Sequence, residues 1–401
     1  MIYKYNDYKL ASLSCHARTR ASILFFATLA YFIVIIIFGS SASFGNERAG
    51  EAPVSVTDIT GRAITLPRPA KRLLIDDGRY FLALALMVDD PVALVAAWPH
   101  DVHRIGDSAY EAYRARFPDI ATKTRIAGSA ESLSVEQILD VAPDAAIFRA
   151  GLGPTPEQVR QIEAAGIAVV FIDFFSQPLE NLAPSLAILG KLVGAEERAQ
   201  TFIDFRAARL KRITDRIEAA RDLVRPRVFL EVHAGLTECC NAPGRGNIGN
   251  YITLVGGHNI AADVLPGAVG KLGIEFIIDS DPQIYIATGG PQTAKAGGFV
   301  IGSQFSTEEA RASLARMAAR PGIASLAPVE HGEVHGLAHQ LLNSPLDILV
   351  TERLARWIQP ELFADVDPDA TLAELNARFL AVPLAGPNWI DLRERADGPR
   401  P

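Results

Sequence analysis

The chain has 401 residues, of which 49% are apolar and 21% are charged, and its formal net charge is −7. This length predicts two lobes, because one domain usually holds about 100–200 residues. The composition argues against a disordered chain or a polytopic membrane protein. Basic residues are not in surplus, so we do not expect nucleic acid as a partner. Three cysteines are too few for a disulfide scaffold or a four-thiolate zinc site.

Residues 1–42 have the pattern of a secretory signal peptide. An uncharged apolar run at 23–38 follows four basic residues and one acid, and small residues follow it. This order predicts export with cleavage after Ala42. Because the run is short for a bilayer span of about 20 residues, a retained inner-membrane anchor is the alternative. Both interpretations place the rest of the chain in the periplasm. The leader carries four positive charges and one negative, so the remainder would carry −10.

After a spacer at 43–55, short β-branched or apolar runs alternate with longer helical patterns. This alternation predicts an α/β fold with mostly parallel strands. Strands are predicted at 72–75, 92–96, 145–148 and 168–172, and helices at 135–141 and 155–165.

The pattern changes after Gly194, because residues 196–224 contain no Gly or Pro and keep helical apolar spacing. Pro226 ends this stretch, which predicts a long helix that joins two lobes. Beyond it we expect strands at 227–232, 284–287 and 333–336, and helices at 248–255, 307–319, 346–357 and 371–379. The predicted organisation is an N-terminal lobe at 56–194, a bridging helix at 195–225, a C-terminal lobe at 226–364 and a tail at 365–401.

A faint internal repeat supports two similar lobes. Residues 136–147 read EQILDVAPDAAI, and residues 275–286 read EFIIDSDPQIYI. Each predicts a short helix, a proline turn and a buried strand, and the two copies lie on either side of the long helix. Such units are common in α/β proteins, so chance similarity is the alternative.

Motifs along residues 56–364 resemble those of the substrate-binding proteins of ABC importers for iron-siderophores, haem and cobalamin. They are VTDITGR at 56–62, PRPAKR at 67–72, SVE at 134–136, PD at 143–144, LGKLVG at 189–194, RPRV at 225–228, GGHNIA at 256–261, the second repeat copy from Glu275 to Pro282, GEV at 332–334 and HQLLNSP at 339–345. The resemblance implies two Rossmann-like lobes bridged by a long α-helix, with the ligand cleft between them. A stiff helical bridge predicts only a small closure.

The resemblance also implies a function. We expect a monomeric periplasmic binding protein, not an enzyme, that captures a ferric chelate such as a siderophore and delivers it to an inner-membrane ABC permease. No resident cofactor is expected. Haem or cobalamin as cargo, a bare Zn or Mn binder, and a membrane-anchored enzyme or sensor of the same fold are the alternatives. No nucleophile elbow, HExxH or P-loop motif supports catalysis.

Two glutamates match positions with a known role in that family. In the family, one acidic residue on each lobe docks on arginines of the permease, and Glu136 and Glu275 match these positions, each seven residues before a proline. Widely spaced carboxylates would orient the protein on a basic partner. The alternative is a solvated glutamate that the helix macrodipole favours at a helix start.

Ligand contacts are expected on the loops after the strands, at the carboxyl edges of the sheets. Arginines would supply permanent charge, and aromatic side chains would supply flat apolar area. The residues predicted by this rule are Arg79, Tyr80, Trp98, Arg149, His233, Arg245, His335 and His339.

Three further motifs leave alternatives open. His335 and His339 could touch a chelated metal or have a structural role, but two histidines alone do not make a closed metal site. The GxGxxG at 244–249 does not directly follow a strand, so we expect a loop that opens a short helix rather than a nucleotide site. Cys239 and Cys240 are adjacent and could form a vicinal disulfide or remain two thiols.

Overall fold

A computed structural model describes residues 52–127 and 132–393. The predicted leader and its cleavage position lie outside these residues. Within the described ranges, every helix is too short or too polar to traverse a bilayer.

The first half of the chain forms a five-stranded sheet in the order β5-β4-β3-β6-β7, with all strands parallel. An antiparallel hairpin of β1 and β2 precedes it. The strands are β1 (Val54–Thr57), β2 (Ala63–Leu66), β3 (Leu73–Ile75), β4 (Val95–Trp98), β5 (Thr124–Arg125), β6 (Ala145–Arg149) and β7 (Ala168–Ile172).

The second half forms another five-stranded sheet in the order β10-β8-β12-β13-β14. Its strands are parallel except for β14, which pairs antiparallel with β13 at the sheet edge. A small antiparallel pair, β9 with β11, lies beside it. The strands are β8 (Arg227–Glu231), β9 (Asn241–Ala242), β10 (His258–Asn259), β11 (Gly270–Lys271), β12 (Ile284–Gly289), β13 (Val334–Ala338) and β14 (Trp389–Asp391).

Helices separate the strands, as parallel pairing requires. In the first lobe they are α1 (Tyr80–Ala85), α2 (Pro91–Leu94), α3 (Val102–Ile105), α4 (Asp107–Arg116), α5 (Val135–Val141), α6 (Pro156–Ala164) and α7 (Pro178–Val193). After the long helix α8 (Glu196–Ala219) come α9 (Gly249–Leu254), α10 (Ile274–Asp279), α11 (Thr307–Ala318), α12 (Ala327–His331), α13 (Asp347–Ile358) and α14 (Pro368–Arg378).

Helix α8 connects the two lobes. Its 24 residues span about 36 Å at 1.5 Å per residue, and it packs on α7 from the first lobe and on α13 from the second. Arg206 of α8 forms a buried bidentate ion pair with Asp347 of α13, with nitrogen–oxygen distances of 2.7 and 2.6 Å. Two α/β lobes joined by a helix confirm the predicted fold class.

The internal repeat is also present in the backbone. Helices α5 and α10 each begin one residue before the matching glutamate, and each leads through a proline into a buried central strand, β6 or β12. The residues directly before these prolines, Ala142 and Asp281, both have positive φ, of 45° and 43°. Proline disfavours the right-handed helical region for the preceding residue, so each helix ends before its proline.

Three differences between the predicted and the observed boundaries affect the fold. Residues 91–94 form helix α2 rather than the start of a strand, because Asp90 caps the helix and Pro91 occupies its first position. Helix α8 ends at Ala219, since the next residues turn the chain toward β8. The second sheet continues beyond residue 364, because β14 comes from the segment predicted as a tail.

Strand β14 is held by a charged cluster. Asp391 Oδ1 lies 2.6 Å from Nδ1 of the fully buried His335, and Arg353 donates to Asp391 Oδ2 at 2.9 Å. Burial alone would raise the pKa of Asp391, but the hydrogen bond from His335 and the charges of His335 and Arg353 outweigh it, and the pKa falls from 3.8 to about 2.

We expect Asp391→Asn to lower the free energy of unfolding by about 2 kcal/mol at pH 7. The stabilisation by ionised Asp391 is fully present above the unfolded-state pKa and disappears as pH falls through about 2. The difference in the free energy of unfolding between the variant and the wild type should therefore shrink between pH 4 and pH 2. Urea unfolding at several pH values measures this difference.

Asp365→Asn is the matched control. Arg216 also lowers the pKa of Asp365 to about 2, but the Asp365 side chain is 60% exposed. We therefore expect this variant to lower the free energy of unfolding by less than about 1 kcal/mol. Equal losses in the two variants would contradict the prediction.

Candidate functional site

The loop after β3 places two aspartates and an arginine at the carboxyl edge of the first sheet. Asp77 is fully buried, and its two oxygens accept from Nε and Nη2 of Arg79 at 2.9 and 2.7 Å. The backbone N–H of Arg79 also donates to Asp77 at 2.9 Å. This bidentate arrangement fixes the plane of the Arg79 guanidinium.

The loop after β4 adds a second arginine beside the first. Arg104 donates to Asp77 Oδ2 at 3.0 Å, and its Nε lies 2.8 Å from Asp101 Oδ2. Asp101 in turn accepts from the backbone N–H of Gly78 at 3.0 Å. A Cβ at position 78 would lie 2.8 Å from Asp101 Oδ1, so only glycine permits this close approach of the two loops.

The aspartates differ in their electrostatic environments. Burial raises the pKa of Asp76 from 3.8 to about 6, although Arg149 opposes this with its charge and its backbone N–H. For Asp77 burial would also raise the pKa, but the charges and hydrogen bonds of Arg79 and Arg104 lower it to about 2. Asp77 is therefore the permanent counter-charge that holds both arginines in place.

The second lobe contributes two neighbouring histidines. His233 follows β8 and has a φ of 51°, and His339 follows β13; their ring centroids are 3.7 Å apart. The hydroxyl of Thr288 on β12 accepts from the backbone N–H of His233 at 3.0 Å and lies 3.0 Å from Nδ1 of His339. Gln292 donates from Nε2 to Nδ1 of His233 at 2.9 Å.

Both histidines are neutral at pH 7. Burial lowers the pKa of His233 from its ordinary value of 6.5. Burial, the neighbouring His233 and the charge of Arg79 together hold the pKa of His339 well below 6.5.

A cavity of about 250 Å³ lies between these groups. It receives residues from both lobes at the carboxyl edges of both sheets, which is where open α/β sheets bind ligands. Its lining residues are Arg79, His103, Arg104, His233, Gln292, His339, Gln340 and Asn343. Two other grooves, of about 430 and 370 Å³, flank the β1–β2 hairpin and belong to the first lobe alone.

Comparison with known proteins agrees with this architecture. The family model described as "Periplasmic binding protein" matches residues 87–341. The chain belongs to the periplasmic binding protein family. Members of this family bind solutes and are not enzymes.

This periplasmic binding protein is similar to several known proteins. A cobalamin-binding protein of Halobacterium salinarum is 27% identical over 250 residues, which are 60% of each chain; the present chain thus spans about 60% of the length of that relative. The crystal structure of a TroA-like periplasmic binding protein, FepB, from Veillonella parvula matches with a TM-score of 0.77 and 27% identity, over 85% of this chain and all of the other. A periplasmic haem-binding protein of Pseudomonas aeruginosa shares the fold, with a TM-score of 0.52 and 20% identity over 73% of this chain and 94% of its own.

The structure brings together three of the eight predicted ligand residues of this binding protein: Arg79, His233 and His339 line the cavity. Tyr80 and Trp98 are buried in the first lobe, where Trp98 stacks on His100 with ring centroids 4.5 Å apart. Arg149 also lies outside the lining and donates its backbone N–H to Asp76. Arg245 is exposed and donates to the carbonyl of Ala262 at 3.0 Å.

His335 is a correction to the prediction of a histidine pair in the cleft. It lies within β13 rather than after it, is fully buried, and stacks on Trp357 with ring centroids 4.6 Å apart. Each residue of an extended strand adds about 3.3 Å, so the four steps from His335 to His339 span about 13 Å. The structure therefore assigns His335 to the anchoring of β14.

The remaining motifs lie elsewhere in the second lobe. The GxGxxG loop precedes α9, and within it the side-chain amide of Asn247 donates to the carbonyl of Phe175 in the first lobe. Cys239 and Cys240 form a vicinal disulfide near Glu231. In the described ranges, Glu231 and these cysteines are the only close group of three side chains of metal-binding type, but the disulfide leaves neither sulfur as a thiolate that could bind a metal ion.

Sequence reasoning missed five of the eight lining residues and also the aspartates beside them. Asp76 and Asp77 directly follow β3 and could have been found by the same carboxyl-edge rule that indicated Arg79. Arg104 was missed because the second strand was predicted too early in the chain. The loop after it was therefore also expected too early, and Arg104 lay beyond it. Gln292, Gln340 and Asn343 carry no sequence signal by themselves, since amide side chains are common in loops.

Proposed function

We propose that this protein captures an iron chelate in the periplasm and delivers it to an ABC permease of the inner membrane. The observation that carries the proposal is the cavity between the lobes, with Arg79 and Arg104 on one side and His233 and His339 on the other. A cleft with fixed arginines suits an anionic complex. The family supports solute capture, and the permease and the iron follow from the resemblance.

Cobalamin is the second candidate cargo, because the Halobacterium salinarum relative is named for binding it. A haem cargo has weaker support, since the haem-binding neighbour is 20% identical and indicates the fold alone. A bare metal ion has less support, because only His233 and His339 of the three lining histidines have rings in contact, and two histidines do not make a closed metal site.

Delivery would use the two glutamates of the internal repeat. Glu136 and Glu275 are both exposed and both occupy the second position of their helices. One turn later each helix exposes a large aliphatic side chain, Leu139 or Ile278, and then an aspartate, Asp140 or Asp279. Residues three and four positions apart share a helix face, so each lobe presents the same acidic and apolar group to a partner.

The proposal is tested by identifying the native cargo. The protein is purified without denaturation from its iron-limited host, and bound small molecules are identified by mass spectrometry and by the absorption spectrum. A broad visible charge-transfer band is expected for a ferric chelate, whereas a Soret band would indicate haem and a corrin spectrum would indicate cobalamin. Tight binding of free Zn(II), without affinity for any chelate, would contradict the proposal.

A further inference from the structure

Each of the two repeat helices, α5 and α10, is attached at its carboxyl end to an arginine at the start of an interior strand. In the first lobe, Arg72 lies directly before β3 and donates from Nη2 to the carbonyl of Val141 at 2.8 Å and from Nε to that of Ala142 at 3.4 Å. These two residues are the last residue of α5 and its C-cap. The carbonyls at a helix end lack partners within the helix, and the helix dipole favours a cation there.

The second lobe repeats this arrangement. Arg227, the first residue of β8, donates from Nε to the carbonyl of Ser280 at 2.9 Å and to that of Asp281 at 2.7 Å, and from Nη2 to the Asp281 carboxylate at 2.7 Å. Ser280 is the C-cap of α10. Because a guanidinium presents several donors in one plane, a single side chain reaches consecutive groups at the helix end.

The backbone of each arginine is held at the same place. The residue after the proline of each repeat copy, Asp144 or Gln283, donates its backbone N–H to the carbonyl of the arginine at 2.8 Å. Its side chain accepts from the backbone N–H of the arginine, at 2.9 Å for Asp144 and 3.0 Å for Gln283. Two different side chains thus make the same contact at equivalent positions, which indicates that the attachment belongs to the repeat rather than to one lobe.

The attachment matters for docking because α5 and α10 are short. They contain seven and six residues, which is about 9–11 Å at 1.5 Å per residue, so a tilt at the carboxyl end moves the glutamate near the amino end. Helix α5 is also held by its Ser134 cap and by the side-chain amide of Gln137, which donates to the carbonyl of Arg125 at 2.7 Å. The N-cap of α10 is Gly273, which has no side chain to do so. Helix α10 therefore depends more on its arginine.

We propose that Arg72 and Arg227 are positioning residues for delivery to the permease. Each sets the orientation of the helix that carries the docking glutamate of its lobe. This inference rests on the proposed function and assigns a role in it to two residues outside the cavity lining. Both arginines are exposed, the side chain of Arg227 by 40%, so their loss should change the free energy of unfolding only slightly.

Amide hydrogen exchange followed by mass spectrometry tests the attachment without the permease. In Arg227→Met, α10 should exchange at least about 5-fold faster than in the wild type, while α5 keeps its rate. Arg72→Met should show the reverse, with a smaller increase because Ser134 and Gln137 still hold α5. Unchanged exchange in both helices would overturn the inference. Equal increases in both lobes would also overturn it, because they indicate a global loss of stability.

Docking is measured by competition with the full chain, purified from the periplasm of its host together with whatever small molecule it carries. Spheroplasts of host cells that lack the gene expose the periplasmic face of the permease, and unlabelled variants displace fluorescently labelled wild-type protein from them. Arg227→Met should need at least about 3-fold more protein for half-displacement while it retains the copurified small molecule. Combined with Glu275→Ala, its loss should be less than multiplicative, because both changes act on the same helix. Fully multiplicative losses would contradict positioning.

Arg216→Met is the matched control. Arg216 also donates to a backbone carbonyl, that of Leu362 at 3.1 Å, and pairs with the exposed Asp365, and its side chain is 31% exposed. This variant loses the same kinds of contact but leaves the repeat intact. It should compete like the wild type and leave hydrogen exchange in α5 and α10 unchanged.

Failure of this inference differs from failure of the proposed function. The inference alone fails if Glu136→Ala with Glu275→Ala cannot displace the labelled protein whereas the arginine variants displace it like the wild type. Delivery itself fails if the wild type shows no saturable binding to the spheroplasts, or if the glutamate double variant competes as well as the wild type. Either of these results also removes the docking role of the two arginines.

Discussion

A protein that carries both Glu136→Ala and Glu275→Ala is expected to bind its cargo with unchanged affinity but to lose at least about 10-fold in uptake. The two carboxylates are exposed on matching helices of the two lobes, away from the cavity lining. Truncating one partner of a charge pair that is buried and hydrogen-bonded in an interface costs about 2–5 kcal/mol. The double variant would lose one such pair with the permease on each lobe. The effect is measured as the uptake of labelled cargo by cells that lack the chromosomal gene and express the variant instead. Titration of the purified variant measures its affinity for the cargo.

The chain offers a closely matched control for this experiment. Glu157 and Glu308 are also exposed and also occupy the second position of their helices, one in each lobe. Glu157→Ala with Glu308→Ala removes the same macrodipole interactions but leaves the repeat intact, and should transport normally. Equal uptake by the two double variants would reject docking through the repeat.

Asp347→Ala is expected to lower the free energy of unfolding by about 3–5 kcal/mol, because it leaves a buried charge without its partner. Arg206 and Asp347 are both nearly inaccessible, and the hydroxyl of Tyr251 also donates to Asp347 at 2.7 Å. This single carboxylate therefore holds α8, α9 and α13 together. Urea unfolding followed by circular dichroism measures the loss.

Two further variants make the stability prediction specific. Asp215→Ala breaks an exposed pair with Lys211 on the same helix α8, where a change below about 1 kcal/mol is expected. Arg206→Met with Asp347→Leu removes both charges and should recover much of the loss, because apolar pairs of similar volume can replace buried ion pairs. A loss in this double variant as large as in Asp347→Ala would contradict the explanation.

The architecture could be predicted from local signals along the chain. Alternating short apolar runs and amphipathic stretches located most strands, and the helix at 135–141 and the strand at 168–172 match α5 and β7 at both ends. The absence of Gly and Pro in 196–224 predicted α8, which spans Glu196–Ala219. Its end could not be predicted, because the turn toward β8 is required by the position of the second sheet rather than by any helix-breaking residue at 220.

The site was only partly predictable, because its residues are positioned by strand ends and by contacts between distant parts of the chain. The carboxyl-edge rule depends on knowing where each strand ends, and it worked for Arg79, His233 and His339. It was misapplied to His335, which lies inside the predicted strand at 333–336 and inside β13 in the structure, rather than after either. Contacts such as Arg104 with Asp77 join separate loops, and no pattern within a single sequence indicates which loops meet.

The position of β14 affects the order in which this protein can fold. The first sheet needs no residue beyond Ile172, so it can assemble while the rest of the chain is still emerging. The second sheet remains incomplete until Asp391 has arrived, almost at the end of the chain. Until then the outer edge of β13 is an unpaired row of backbone groups, which is open to pairing with other chains. Strand β14, the last strand in the part of the chain that the structure describes, thus closes this edge of the second sheet.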